Sequence, residues 1–383
     1  MHQNYWHMKI IIAIDSFKGS LSSSEAGQAV LTSIRELLPE CQTELIPIAD
    51  GGEGMLSVML SARHGTLHTI QVHNPCMEFI NAPYGIAKDG ITAFIEMATA
   101  SGLPLIHEKQ RNPMKTTTLG TGELILDALA KGCTRFIVGI GGSATNDAGT
   151  GMLQALGIKF LDQKGEALGL GGEILSRIAS IDNSKIHPSL KNAQFTVACD
   201  VRNPFYGPEG AAYTYSRQKG ADDTMITALD KGMQSFAKVI QQATGKDVQK
   251  IPGSGAAGGM GGGMLAFLNA ELKSGADLML EICDFYKKIK DADFIITGEG
   301  RLDNQSFMGK IPGKILHVGQ THNIPVIAIA GSISDKNSLK KSGFYEVYAT
   351  KPENMTLEEA MKRETAIQNI QKTVTEFVRK HIQ

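Results

Sequence analysis

Five clusters of polar residues and glycines could do chemistry, because each follows a short apolar run of the kind that forms a buried strand. They are Asp15-Ser-Phe-Lys-Gly-Ser, Asp50-Gly-Gly-Glu-Gly, Gly141-Gly-Ser-Ala-Thr-Asn-Asp, Asp200-Val-Arg-Asn-Pro and Gly298-Glu-Gly-Arg-Leu-Asp. A sixth, the run from Gly253 to Gly263, places seven glycines in eleven residues. Glycine lets backbone N–H groups approach an anion closely, and helix N-termini favour phosphate. The clusters therefore predict a site for a phosphorylated ligand.

The charged side chains in these turns point to phosphoryl transfer. Lys18 lies in a strand-end turn, and a compact ammonium group suits phosphate oxygens. Lys310 and Lys314 are four residues apart and would share one face of a helix. Phosphoryl transfer also needs oxygen ligands for Mg²⁺ and a group that orients the attacking hydroxyl. Such carboxylates follow predicted strands or lie in turns at Asp15, Asp50, Glu53, Asp147, Asp200 and Asp303. An Asp in that position is also a common helix cap, so the set carries more weight than any one member.

Two other functions remain open from the residues. Gly253-Ser-Gly-Ala-Ala-Gly258 fits the G-x-G-x-x-G spacing of a dinucleotide site, which would suit an oxidoreductase acting on a hydroxy acid. It follows only a weak strand broken by Pro252, so the strand–turn–helix context is missing. A binding protein without a reaction would also use a polar cleft, but it does not require a base and metal ligands together. The P-loop is absent, since Gly309-Lys310 and Gly313-Lys314 are each followed by Ile.

The elements that must position these residues alternate between strand and helix. Short β-branched runs such as Ile10 to Ile14 read as parallel strands buried on both faces, and Ser22 to Leu38 has helical spacing. The fold class we predict is α/β with two domains. A Rossmann/flavodoxin-like open parallel-sheet domain is formed by both chain ends, residues 8–69 and 285–383. A second α/β domain, residues 70–284, is inserted between them. Within it, a turn is predicted at Asp89-Gly90, between two strand-like apolar runs.

The chain is predicted to end in an amphipathic helix. Thr356 and Glu359 have the spacing of a capping box. Its apolar stripe consists of Leu357, Ala360, Met361, Ile367, Ile370, Val374, Phe377 and Val378.

Composition narrows the class of protein. The 383 residues carry 38 Lys and Arg against 39 Asp and Glu, a net charge of −1, which argues against a nucleic-acid binder or a polybasic membrane-surface protein. Five scattered cysteines without a C-x-x-C pair favour reduced thiols in a cytoplasmic protein. No apolar run approaches the ~18 residues that span a bilayer. The 42 glycines exceed the about 27 expected at ~7%, and the surplus lies in the clusters above.

Taken together, these clusters resemble the bacterial type I glycerate kinases, the glycerate 2-kinase group. The matching segments are AIDSFKGSLSS (13–23), IADGGEG (48–54), IGGSATNDAGTG (140–151), ACDVRNPFYGPEGAA (198–212), PGSGAAGGMGGG (252–263) and DFIITGEGRLDNQS (293–306) with GKIPGK after it. They run in order from Met8 to the C-terminus. The resemblance implies a cytoplasmic enzyme of organic acid breakdown that uses ATP and Mg²⁺ to phosphorylate D-glycerate to 2-phosphoglycerate, in a cleft between two α/β domains. The residues themselves do not decide whether the C2 or the C3 hydroxyl of glycerate is phosphorylated. They also leave open whether the protein is a monomer or a homo-oligomer.

Within that resemblance we assign roles by residue type. Catalytic roles fall to Lys18, Asp200, Arg301 and Asp303. Substrate or nucleotide binding falls to Asp15, Ser16, Ser20, Gly51, Gly52, Gly141, Gly142, Ser143, Asn146, Asn203, Gly255, Gly258, Gly298, Glu299 and Lys310. Mg²⁺ would lie near Asp50 and Glu53. Arg301 would contact the glycerate carboxylate or the transferred phosphoryl group, and Asp200 or Asp303 would orient the hydroxyl.

Overall fold

The computed structural model describes residues 7–49, 54–303 and 310–382. The chain divides into two compact units, which we call unit 1 (residues 1–50 and 276–383) and unit 2 (residues 51–275). The domain boundaries expected from the sequence, near residues 70 and 285, stay a prediction.

The regular elements of the described residues are as follows. The strands are β1 (Lys9–Ile14), β2 (Gln42–Leu45), β3 (Thr66–His73), β4 (Phe79–Ile86), β5 (Thr92–Glu96), β6 (Arg135–Gly139), β7 (Lys159–Leu161), β8 (Ser180–Asp182), β9 (Gln194–Ala198), β10 (Glu271–Lys273), β11 (Phe294–Leu302), β12 (Val326–Ile333) and β13 (Glu346–Ala349). The helices are α1 (Ser23–Leu37), α2 (Met55–Ala62), α3 (Ala98–Ser101), α4 (Leu119–Ala130), α5 (Thr150–Ala155), α6 (Ala211–Tyr215), α7 (Asp223–Thr244), α8 (Met260–Phe267), α9 (Gly275–Ile282), α10 (Phe285–Lys288), α11 (Ile311–His322), α12 (Lys336–Lys341), α13 (Leu357–Met361) and α14 (Arg363–His381).

Unit 1 holds a parallel sheet with the strand order β13-β12-β11-β1-β2. Its central strands are fully buried isoleucine runs, with Ile12 beside Ile296 in register, because helices cover both faces of such a sheet. Counted along the chain within this unit, the order is 2-1-3-4-5, so it reverses between β1 and β11. In an open parallel sheet this reversal opens a crevice at the carboxyl ends of the strands.

Helices α1 and α14 pack against each other and against this sheet. The N-terminus of α1 has a capping box, in which Ser22 and Glu25 satisfy each other's backbone N–H groups. The capping box expected at Thr356 and Glu359 is confirmed. The helix after it differs from the prediction, since it breaks at Lys362, whose backbone is extended (φ −62°, ψ 130°). Only the residues beyond this break, such as Ile370 and Phe377, belong to the core.

The turn expected at Gly298 is wrong, because β11 runs straight through this glycine, as β12 does through Gly331. The reason at Gly298 is close strand packing. A Cβ there would collide with the carbonyl oxygen of Ile329 on the neighbouring strand. Glycine therefore allows β11 to continue, and the strand carries Glu299 and Arg301 outward along the carboxyl edge.

Unit 2 holds a mixed sheet with the order β10-β9-β6-β5-β4-β3 and a separate two-stranded sheet of β7 and β8. The first four strands are parallel, and β4 and β3 are antiparallel. The turn at Asp89-Gly90 is confirmed between β4 and β5. There Asp89 Oδ1 accepts hydrogen bonds from the backbone of Ile91 and Thr92, both at 2.9 Å. The weak strand expected before the glycine-rich run is wrong, because Val248–Lys250 forms a turn of 3₁₀-helix.

A search of the described residues finds no helix with both the length and the apolar character that a membrane span requires.

Candidate functional site

A cavity of about 330 Å³ lies in unit 1 at the carboxyl edge of its parallel sheet. That edge lies at the reversal of strand order between β1 and β11, where ligands bind in open α/β sheets. Its walls come from the turn after β1, the ends of β11 and β12, the residues after β13, and α13. The lining residues used below are Asp15, Ser16, Lys18, Ser20, Glu299, Arg301, Lys310, Lys351, Leu357, Ala360 and Met361.

The turn after β1 is held tightly at its base. The backbone N–H of Asp15 donates to the carbonyl of Gly298 on β11 at 2.9 Å, and Ser16 N–H donates to the Asp15 carboxylate at 2.6 Å. The turn then closes through Phe17 and Leu21, and Gly19 takes a positive φ of 76° that suits glycine. This geometry leaves Asp15 buried and Lys18 exposed at the tip of the turn.

Strand β11 supplies one negative and one positive side chain to the cavity. Glu299 is buried beside the cavity, whereas Arg301 projects outward with its Nε 3.6 Å from an Asp303 carboxylate oxygen. Lys310 lies at the N-cap of α11 and lines the same cavity. The cavity therefore combines ammonium and guanidinium groups near its mouth with two buried carboxylates, which suits an anionic ligand and a hard cation together.

Other predicted residues of unit 1 lie outside this cavity. Lys314 shares α11 with Lys310 but pairs with Asp277, Nζ to Oδ2 at 2.8 Å. Gly298 lies inside β11, so its contribution is to strand packing. The predicted residues Asp50, Gly51, Gly52 and Glu53 lie outside the described residues.

The carboxylates of the cavity fit the demands of a magnesium ion. Residues 7–49, 54–303 and 310–382 contain no group of three or more His, Cys, Asp or Glu placed to hold a metal ion. Mg²⁺ does not need such a group, since it commonly takes one or two protein carboxylates and completes its shell with water and substrate phosphates. Asp15 and Glu299 are buried carboxylates of this kind that line the cavity.

A second cluster of predicted residues lies in unit 2, in the turn that follows β6. Gly141 and Gly142 are exposed, while Ser143 and Asn146 are buried. A buried lysine that the sequence did not single out holds this turn. Lys219 Nζ donates to Ser143 Oγ and to the carbonyl of Thr145, both at 2.7 Å. Burial lowers the pKa of Lys219 to about 7, and the nearby Asp147 opposes that shift.

Asp147 is fully buried and serves the backbone around it. One carboxylate oxygen accepts from the Thr118 backbone N–H and hydroxyl, both at 2.8 Å, and the carboxylate also accepts from Gly149 and Gly151. Burial raises the pKa of Asp147 and these hydrogen bonds oppose the rise. Its partners lie at the starts of α4 and α5, so the carboxylate caps both helices.

Asp200 and Asn203 follow β9, the parallel neighbour of β6, so they lie at the same sheet edge as Gly141. Asp200 is exposed and accepts from the Gly275 backbone N–H at 2.8 Å. Asn203 is half-buried and accepts from the Tyr215 hydroxyl at 2.6 Å.

The glycine-rich run packs against both of these turns. Gly255 N–H donates to the Asn203 carbonyl at 3.1 Å, and the Gly258 carbonyl accepts from Ala148 N–H at 3.0 Å. A Cβ at Gly255 would collide with the carbonyl of Pro204, and one at Gly258 with that of Thr145. Gly255 and Gly258 therefore allow three turns of unit 2 to approach at backbone distance.

Sequence reasoning missed two sets of lining residues in unit 1. Lys351 comes directly after Thr350 and β13, so the strand-end rule that selected Lys18 would also have found it. Leu357, Ala360 and Met361 belong to the apolar stripe predicted for a single helix, whereas the break at Lys362 separates them from the core and lets them line the cavity. Nothing in the sequence distinguishes Lys219, because a buried lysine in a turn has the same sequence context as a solvated one.

Known proteins are similar to this chain over nearly its full length. The model of the glycerate kinase family matches residues 10–381. The chain is 47% identical to the glycerate 2-kinase of Escherichia coli (strain K12), over 93% of both chains, and 44% identical to a glycerate kinase of Halalkalibacterium halodurans, over 92% of this chain and 93% of the relative. A crystal structure from Salmonella typhimurium LT2, provisionally described as a glycerate kinase 2, superposes with a TM-score of 0.89 at 41% identity and 97% coverage of both chains. The chain therefore belongs to the glycerate kinase family.

Proposed function

We propose that this protein is an ATP-dependent glycerate kinase that transfers a phosphoryl group to the C2 hydroxyl of D-glycerate and releases ADP. The observation that carries the proposal is the convergence of Lys18, Arg301 and Lys310 with the carboxylates of Asp15 and Glu299 around one cavity. Phosphoryl transfer is catalysed by positioning and by cations that stabilise developing negative charge, and this cavity contains both kinds of group. Relatives named glycerate kinase, alike over nearly the full chain, support the choice of acceptor.

In the proposed mechanism the chain's cations act on phosphate oxygens. Lys18, at the exposed tip of its turn, places its ammonium group on phosphate oxygens, and Lys310 at the start of α11 adds its ammonium group to the partial positive charge of the helix N-terminus. Arg301 binds the glycerate carboxylate or the transferred phosphoryl group through two N–H donors. Asp15 and Glu299, together with Asp50 and Glu53, are the candidates to hold Mg²⁺, which when bound neutralises charge on the phosphates.

The remaining assignments concern the acceptor hydroxyl and the fold. Asp303 or Asp200 orients the hydroxyl of glycerate, and the exposed backbone of Gly141 and Gly142 approaches the substrate. Ser143, Asn146 and Gly258 hold that turn in place, and Asn203 and Gly255 hold the turn that follows β9. We further propose the two-domain form of the fold, with a Rossmann/flavodoxin-like domain from residues 8–69 and 285–383 and a second α/β domain, residues 70–284, inserted between them. Reduced, scattered cysteines support a cytoplasmic location.

The test is a coupled assay of ADP release with D-glycerate, ATP and Mg²⁺, followed by phosphorus NMR of the product. We expect ADP release that depends on D-glycerate and a phosphorus signal coupled to the proton on C2. A signal coupled to two protons would place the phosphate on C3 and contradict the regiochemistry. Oxidation of glycerate with a nicotinamide cofactor, or binding of glycerate without any ADP, would replace the proposal by one of the two other functions.

A further inference from the structure

The cavity of unit 1 has an apolar wall that the charged groups do not explain. Ala360 and Met361 lie three and four residues after Leu357 on α13, so each shares a helix face with Leu357, and all three line the cavity. Leu357 is 64% exposed and Met361 37% exposed, although the core of the same unit lies close by on α14. A fixed helix with its apolar face on a polar cavity indicates a ligand that is itself part apolar.

The position of α13 is fixed from both ends. Lys351 Nζ donates to the Met355 carbonyl at 2.9 Å just before the helix, and the Thr356 capping box closes its first turn. After the helix, Arg363 pairs with Glu25 at the start of α1, Nε to Oε1 at 2.7 Å. The break at Lys362 then turns α13 away from the direction of α14. These contacts therefore hold the apolar face of α13 in one position.

The two substrates of the proposed reaction differ in what they offer this wall. Glycerate is a three-carbon acid with two hydroxyls, so it presents no apolar face to Leu357 or Met361. A nucleotide has a flat base at one end and phosphates at the other. The lining of the cavity likewise combines an apolar part, the face of α13, with the charged groups Lys18, Arg301 and Lys310. Its volume of about 330 Å³ lies at the lower end of the ~300–1,000 Å³ range of small-molecule sites.

We propose that Leu357, Ala360 and Met361 form the base-binding wall of the nucleotide site, so that the cavity of unit 1 takes ATP with its phosphates toward Lys18, Arg301 and Lys310. This inference rests on the proposed kinase function and names which substrate this site takes. Apolar contacts of this kind hold a base by area and stacking, while the cations provide orientation.

A fluorescence experiment tests the wall without turnover. The chain has a single Trp, Trp6, so Leu357→Trp in a Trp6→Phe background places the only indole on α13. We expect ADP to quench and shift the emission, because an adenine stacks on an indole, and we expect neither D-glycerate nor inorganic triphosphate to do so. Leu67→Trp in the same background is the control, since Leu67 is 56% exposed on β3 of unit 2 and should not respond to ADP.

Kinetics supply a second test. Met361→Glu should raise KM for ATP about ten-fold while KM for glycerate and kcat change little, and Met361→Leu should restore the normal value. Leu67→Glu is the matched control. A rise in KM for glycerate alone, or an emission change with glycerate but not ADP, would assign the cavity to the acceptor and overturn the inference. If the proposed kinase function itself is wrong, the unmodified protein will release no ADP and calorimetry will detect no ADP binding.

Discussion

At the scale of single residues, the exposed tip of the turn after β1 offers the clearest change in activity. Lys18→Ala removes a cation that we place on phosphate oxygens, so kcat should fall by a factor of about 100 to 1,000. Asp303→Ala should reduce kcat similarly if this carboxylate orients the hydroxyl. The thermal midpoint should hardly move, since Lys18 is exposed. Lys88→Ala, an exposed lysine of unit 2, is the control, and near-normal turnover in either variant would remove that residue from the catalytic set.

Lys219 should make stability depend on pH. Its pKa is about 7 in the folded protein, below its ordinary value of 10.5, so between these values the folded state binds fewer protons than the unfolded state. The free energy of unfolding then rises with pH, by at most about 1.4 kcal/mol per pH unit from this one group. Lys219→Met should remove that rise. Urea unfolding of both proteins at pH 7 and pH 9 measures it as a difference, and an identical pH dependence in the two would contradict the prediction.

At the scale of elements, Asp147 joins the starts of α4 and α5. Asp147→Ala leaves the buried N–H groups of Thr118, Gly149 and Gly151 without their acceptor, so we expect a loss of about 3 kcal/mol or more. Thermal and urea unfolding measure the loss. Asp162→Ala is a matched control, because the two backbone hydrogen bonds that Asp162 accepts are exposed to solvent, whereas those of Asp147 are buried. A loss no larger than the control's would show that other groups hold these helices.

Sequence reasoning was most successful where periodicity is a local property. The buried strand at Ile10 to Ile14 and the capping box at Thr356 and Glu359 follow from patterns within a few residues, and the structure contains both. It failed at Gly298, which has the sequence of a turn residue but lies in a strand because of its neighbour Ile329, far along the chain. The prediction for the apolar face of α13 was wrong for a related reason. Periodicity identifies an apolar face, but only the break at Lys362 determines that this face lines a cavity and not the core.

At the scale of the whole molecule, each unit has its own sheet and its own apolar core. One core cluster is built wholly from residues between Val72 and Ala270, and the other from the two ends of the chain, as with Ile12 and Phe377. The α/β class follows from the alternation of strand and helix patterns along the sequence. The division at residues 50 and 275 cannot be predicted from the sequence, because a turn between two units has the same polar composition as a turn within one.

Unit 2 should therefore fold as an isolated fragment of residues 51–275. Its mixed sheet and its core are internal, and so are the bond from Lys219 to Ser143 and the bonds from Thr118 to Asp147. We expect circular dichroism with both helix and strand, and a single cooperative unfolding transition. The fragment should release no ADP with glycerate, because Lys18, Arg301 and Lys310 all belong to unit 1. A fragment without cooperative unfolding would mean that unit 2 depends on unit 1 for stability, and activity in it would remove all three cations from the mechanism.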